Sequence, residues 1–122
     1  MNKMQKAKAK MLLTQIFFAT LVMSTPIIAE ASLPTAGTDM LTIFYNPAFI
    51  EGLTLPQVMF VLAHEVMHIV FKHGLRRGSR NHKLWNISCD YAINYILHEA
   101  GFELIPGCMF DTRFASMPAE QI

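Results

Sequence analysis

A chain of 122 residues fits one small domain. It is 52% hydrophobic, 11% aromatic and only 16% charged, which allows a buried core and argues against disorder. A net charge of +1 excludes the global basic or acidic field expected of a nucleic-acid binder or of a partner for acidic ligands. Its four N-terminal lysines, Lys3, Lys6, Lys8 and Lys10, are a local cluster. Nine methionines suggest an adaptable core more than a cofactor box.

Residues 6–19 predict a helix with basic and apolar faces, because Leu12, Leu13, Ile16 and Phe17 recur at helical spacing. A second reading fits the same stretch. Lysines, then an apolar run from Met11 to Met23, then Ala29-Glu30-Ala31 make the pattern of a secretory signal peptide. No run is long and apolar enough for a transmembrane helix. Residues 21–29 predict a strand with Pro26 at an edge or bulge. Pro34, Gly37 and Asp39 mark a turn, and Leu41–Tyr45 a second strand, ended by Asn46-Pro47 and able to pair antiparallel with the first.

Thr54-Leu-Pro-Gln57 reads as a helix start: Thr54 can cap, Gln57 can reach back, and Pro56 suits the first turn. The helix runs to about His73, with Gly74 as its stop, and is apolar almost all round, so it should be central and buried. Arg76–Arg80 predicts a solvated basic loop. A second long helix spans about Lys83 to Ala100 and stops at Gly101. Pro106-Gly107 is a turn, and Ser116–Glu120 resembles another helix start. There is no internal repeat. Cys89 and Cys108 form no CxxC pair and read as free thiols, which fits a reducing compartment.

The first long helix carries His64-Glu65-Val66-Met67-His68, an HExxH motif. Residues four apart lie one turn above each other, so two imidazoles can converge on one Zn²⁺ at about 2.0–2.1 Å each. Glu65 sits beside the first ligand, placed to take a proton from a metal-bound water of lowered pKa. Burying two histidines and a glutamate in an apolar helix without partners would be costly, and a metal satisfies all three.

A third ligand must come from elsewhere. His73 lies nine residues from His64, which on a continuous helix puts it on the opposite side, and the metzincin spacing is absent. It reads instead as an exposed helix-end histidine. Asp90 is the better candidate. It lies in a polar stripe, Asn86, Asp90 and Asn94, on the otherwise apolar second helix. Asn86 and Asn94 could orient it or its neighbours. A helix–helix hydrogen bond, or capture of Arg76 or Arg77, is the alternative for Asp90. Glu99, His82 and His98 are weaker ligand candidates near helix ends. Tyr91 and Tyr95 could stabilise an oxyanion, with core packing the simpler role.

The run Val61–His68 followed by Leu84–Asn94 resembles the predicted zincin-like metallopeptidase domain usually found ahead of a von Willebrand factor A-like domain. Pro34–Asp39, Phe44–Pro47 and Asp111–Phe114 resemble it too, so the likeness spans about residues 6–120. It implies an α+β zincin-like fold, with a small hairpin or sheet packed on the HExxH helix and on a second, ligand-bearing helix. It also implies His64, His68 and Asp90 around one Zn²⁺, and Glu65 as the base. The lysine-rich helix and its following strand would belong to the domain rather than to a cleaved signal. Relatives continue past the point where this chain stops, so residues 1–122 are expected to be a single domain, truncated or minimal in form.

The expected activity is zinc-dependent peptide hydrolysis, with the Leu41–Tyr45 strand aligning an extended substrate by β-augmentation. A non-catalytic zinc module of a larger assembly and a metal-free pseudoenzyme are the alternatives. The expected partners are a peptide or protein substrate and a von Willebrand factor A-like domain, with no nucleic acid and no stable membrane span. The expected location is cytoplasmic, or secreted if residues 1–31 are a signal.

Overall fold

The computed structural model describes residues 2–122. Asn2 opens the first helix with a reciprocal capping box: its Oδ1 accepts from Gln5 N at 2.8 Å, and Gln5 Oε1 accepts from Asn2 N at 3.1 Å. Helix α1 spans Lys3–Thr14 and α2 spans Ile16–Met23. They are separated at Gln15, which leaves helical backbone and donates its side-chain amide to Ala100 O at 3.0 Å. The expected helix over 6–19 is therefore two helices, and residues 21–23 are helical rather than strand. Tertiary packing decides this. Phe18, Ala19 and Val22, at helical spacing, are buried together with Met4, Ala7 and Met11 of α1.

Three short strands follow: β1 (Ile27–Ala29), β2 (Ala36–Thr38) and β3 (Ile43–Tyr45). Their spatial order is β1-β3-β2. The antiparallel pairing expected between the first and last is instead parallel, with Ile27 opposite Ile43 and Ala29 opposite Tyr45. The intervening chain forms β2, which takes the antiparallel hairpin position on β3, with Ala36 opposite Tyr45. Its turn is built by Asp39, whose Oδ1 accepts from Leu41 N at 2.9 Å and Thr42 N at 2.8 Å, with Met40 left-handed at φ 76°. Because β2 returns the chain to the start of the sheet, β3 leaves in the same direction as β1.

Asn46 caps the short helix α3 (Pro47–Glu51), and Thr54 and Gln57 form the expected capping box on α4 (Leu55–Val70). Helix α4 is buried from Val58 to Ala63 and again at Glu65, Val66 and Met67. It packs against α1, α2, the sheet and the later helix α6 (His82–Glu99). It ends at Val70, earlier than expected. Lys72, at φ 54°, turns the chain into α5 (His73–Arg76). Helix α6 stops as the sequence indicates. Gly101, at φ 92°, supports bonds from Phe102 N to Leu97 O and from Gly101 N to His98 O, at 3.0 and 3.1 Å. The tail holds two 3-10 turns, Thr112–Phe114 and Ala119–Gln121, the second packed on Trp85 and Cys89.

The architecture is α+β, a three-stranded sheet and helices around α4. Among the described residues, no helix is long and apolar enough to cross a membrane. Cys89 is a buried free thiol and Cys108 a half-buried one.

Candidate metal centre

His64 and His68 leave one face of α4 a turn apart, and α6 brings Asp90 opposite them. His64 Nε2 lies 3.0 Å from Asp90 Oδ1, His68 Nε2 lies 3.2 Å from the same oxygen, and the two Nε2 atoms are 3.2 Å apart. Donors at about 2.0–2.1 Å from a tetrahedral ion stand roughly 3.3–3.4 Å from each other. The observed triangle is close to one face of such a tetrahedron. Imidazole N–H groups donating to Asp90 Oδ1 account for the two contacts to the carboxylate, and the near-tetrahedral spacing of the three donor atoms also suits a cation.

The ring orientations support this. His64 Nδ1–H donates to Asn94 Oδ1 at 2.8 Å, and Asn94 Nδ2 donates to Met109 O at 2.8 Å. The Met109 carbonyl sets which way the buried Asn94 amide faces, and the amide then leaves the His64 Nε2 lone pair pointing at the cluster. Asn94 thus serves His64 rather than Asp90. Asn86 lies outside this network, with its amide against His82 at 3.2 Å.

Electrostatics at the cluster favour positive charge. Burial of Asp90 raises its pKa, but the hydrogen bonds and charges of His64 and His68 outweigh burial and hold the carboxyl well below its ordinary range. Burial lowers the His64 pKa, yet the Asp90 bond and the nearby Glu65 and Asp90 charges leave it raised above 6.5. Burial pushes Glu65 upward, only partly offset by the two histidines. A raised His64 pKa means that protons compete with metal at higher pH than for a free imidazole. Affinity for a metal ion at this cluster, measured by chelator competition, should therefore begin to weaken at higher pH than for a free imidazole, at a limiting slope of about tenfold per pH unit for one displaced proton.

His73 is neither exposed nor turned away. The helix break at Lys72 invalidates the nine-residue count, and His73 folds back so that its Nδ1 lies 3.1 Å from His68 Nδ1. It is only 3% exposed, and burial followed by the positive charges of His68 and Arg76 lowers its pKa to about 4. Nothing in the local sequence signals this turn, since Lys72 is not a residue that ordinarily marks left-handed backbone. His73 and Cys89 also form, with His68, a second group whose donor atoms lie within 4.8 Å of one another. Burial pushes the Cys89 thiol up to about 12, which keeps it protonated.

The other candidates stand apart. Glu99 is exposed beside His98 at the end of α6, and His82 lies at its start. Tyr91 packs edge-on against Phe114, and Tyr95 stacks on Phe110. The basic loop is not simply solvated. Arg76 pairs side-on with Glu120, donating from Nε at 2.8 Å and from Nη2, while its Nη1 donates to Phe71 O at 2.9 Å, tying the tail to α5. Arg80 lies over the Trp85 ring.

Two lobes of a cleft meet at His64, Glu65 and Asp90. One, of about 350 Å³, is walled by Phe49, Phe60, Val61, Ile105 and Met109. The other, of about 410 Å³, is more polar, with Thr35, Thr38, His68 and Asn86. Strand β2 borders both lobes. Strand β3, expected to face a substrate, is the central strand, and both its edges are used.

A relative from Thermotoga maritima, named only as an uncharacterized protein, is 40% identical over 72 residues, which cover 57% of this chain and 18% of the relative. The match thus takes in less than a fifth of that relative's length. No solved structure matches the chain. A family model described as "Putative metallopeptidase domain" matches residues 1–122, and the chain belongs to that family.

Proposed function

We propose that this chain is a zinc-dependent peptidase domain of zincin-like design, in which His64, His68 and Asp90 hold one Zn²⁺ and Glu65 is the general base. The observation that carries this reading is the triangle of 3.0, 3.2 and 3.2 Å formed by the three donor atoms. Two imidazoles and one carboxylate are a donor set that suits zinc and leaves a fourth position for water or substrate. The ion, when bound, would polarise the scissile carbonyl and lower the pKa of water.

The chain's own residues do the rest. Glu65 borders both lobes, and its burial makes it a stronger base than a solvated carboxylate. It takes a proton from the attacking water and hands it to the departing amide nitrogen. The substrate lies along β2 rather than β3. The bond from Asn46 N to Thr35 O, with strict alternation along the hairpin, leaves the backbone groups of Ala36 and Thr38 facing away from β3. An extended peptide can add to that edge.

Residues 1–122 are read as one domain, with α1 and α2 integral to it because their apolar faces are part of the core. The sequence resemblance supports a von Willebrand factor A-like partner, and the two free thiols support a cytoplasmic location.

Purified protein is expected to carry one zinc per chain and to cleave an unstructured protein, read by mass spectrometry of the fragments. Chelation should abolish cleavage, and one equivalent of Zn²⁺ should restore it. Stoichiometric metal without cleavage of any substrate would favour the non-catalytic module, and absence of metal binding the pseudoenzyme.

A further inference from the structure

A histidine that binds metal through one ring nitrogen needs its other nitrogen held by an acceptor, which fixes both tautomer and ring plane. For His64 that acceptor is Asn94. For His68, Nε2 is the atom in the donor triangle, so in the neutral ring the proton sits on Nδ1. The atom facing this Nδ1 is the Nδ1 of His73, at 3.1 Å.

We propose that His73 is a positioning residue of the metal centre: its Nδ1 accepts the Nδ1–H of His68 and so aims the Nε2 lone pair of His68 at the metal. The proposal rests on the reading of His64, His68 and Asp90 as ligands. It requires that His73 carry its own proton on Nε2.

The surroundings hold His73 in this pose. Its ring stacks on Phe71, with centroids 5.5 Å apart at 26°, and meets the Trp85 ring edge-on at 5.8 Å. Its carbonyl accepts the Trp85 indole N–H at 2.7 Å, which ties α5 to α6. The left-handed backbone of Lys72 allows the chain to double back within five residues of His68. The two ligand imidazoles are therefore braced from different elements, His64 from α6 and His68 from α5. Both acceptors are neutral, so neither adds negative charge to a centre that already includes Asp90.

The test compares zinc affinity, by chelator competition, in the wild type, His73→Phe and His73→Asn. Phenylalanine keeps the aromatic packing but accepts no hydrogen bond, and affinity should fall by about 10- to 100-fold. Asparagine can put an amide oxygen near the Nδ1 position and should restore affinity close to wild type. Wild-type affinity in His73→Phe, or equal loss in both variants, would overturn the proposal. Should His73→Phe not fold, ¹⁵N imidazole spectra of the zinc-loaded wild type decide the matter. They should show the proton on Nδ1 of His68 and on Nε2 of His73, and a proton on His73 Nδ1 would refute the assignment. If the wild type binds no zinc, or His68→Ala keeps it, the ligand reading itself fails and takes this inference with it. If zinc binds and needs His68 but not His73, only the inference fails.

Discussion

Glu65→Gln should leave one zinc per chain in place and lower the rate of peptide cleavage by about 100- to 10,000-fold. Glutamine has nearly the same shape and can still hydrogen-bond water, but it cannot take the proton. Glu65 is absent from the donor triangle, so metal content, read by elemental analysis, should not change. The fold should tolerate the change well. Burial raises the Glu65 pKa, so the folded chain disfavours its charged form, and a neutral amide avoids that cost. The unfolding midpoint at neutral pH is therefore expected to equal or exceed that of the wild type. Cleavage at the wild-type rate in Glu65→Gln would remove Glu65 from the chemistry. Loss of zinc in the same variant would mean instead that it binds the ion.

Asp90→Ala should cost the protein its stoichiometric metal. The loss in affinity should exceed the roughly 10- to 100-fold expected for removing an outer-shell partner, because a ligand atom itself is gone. Asp90 is also the group that, once burial is accounted for, most raises the His64 pKa. Glu99→Ala serves as the control, since Glu99 is an exposed residue paired with His98. Retained zinc in Asp90→Ala would refute the third ligand.

Much of the centre was legible in the chain. HExxH requires only that residues 64–68 be helical, because a four-residue step on a helix stacks two side chains whatever surrounds them. The stripe of Asn86, Asp90 and Asn94 follows the same rule on α6. A carboxylate in an apolar helix demands a partner, which sets Asp90 apart from the helix-end Glu99. The caps at Thr54 and Gly101 were legible for an equally local reason, since each satisfies backbone groups within a few residues.

Where the fold departs from what local sequence implies, the cause is long-range packing. Residues 21–23 are apolar and partly β-branched, which suits a strand or a buried helix equally, and only packing of Phe18, Ala19 and Val22 into the core makes them helical. The pairing of β1 with β3 depends on where the intervening Ala36–Thr38 segment goes, and three residues are too few to show a period. Counting along a helix that runs to Gly74 puts His73 on the wrong side, because the break comes two residues earlier, at Lys72, which is neither glycine nor proline.

By itself the sequence indicated which residues could gather at one site: His64, Glu65 and His68 by helical spacing, and Asp90 as a carboxylate in an otherwise apolar helix. The tertiary structure decided how they are held. It placed β2 rather than β3 along the cleft, turned Asn94 toward His64 through the Met109 carbonyl, and folded His73 back against His68. The division is physical. Ligand spacing on a helix is a local property of the backbone, whereas ring orientation depends on contacts between residues distant along the chain or beyond a break in it, which no periodicity encodes.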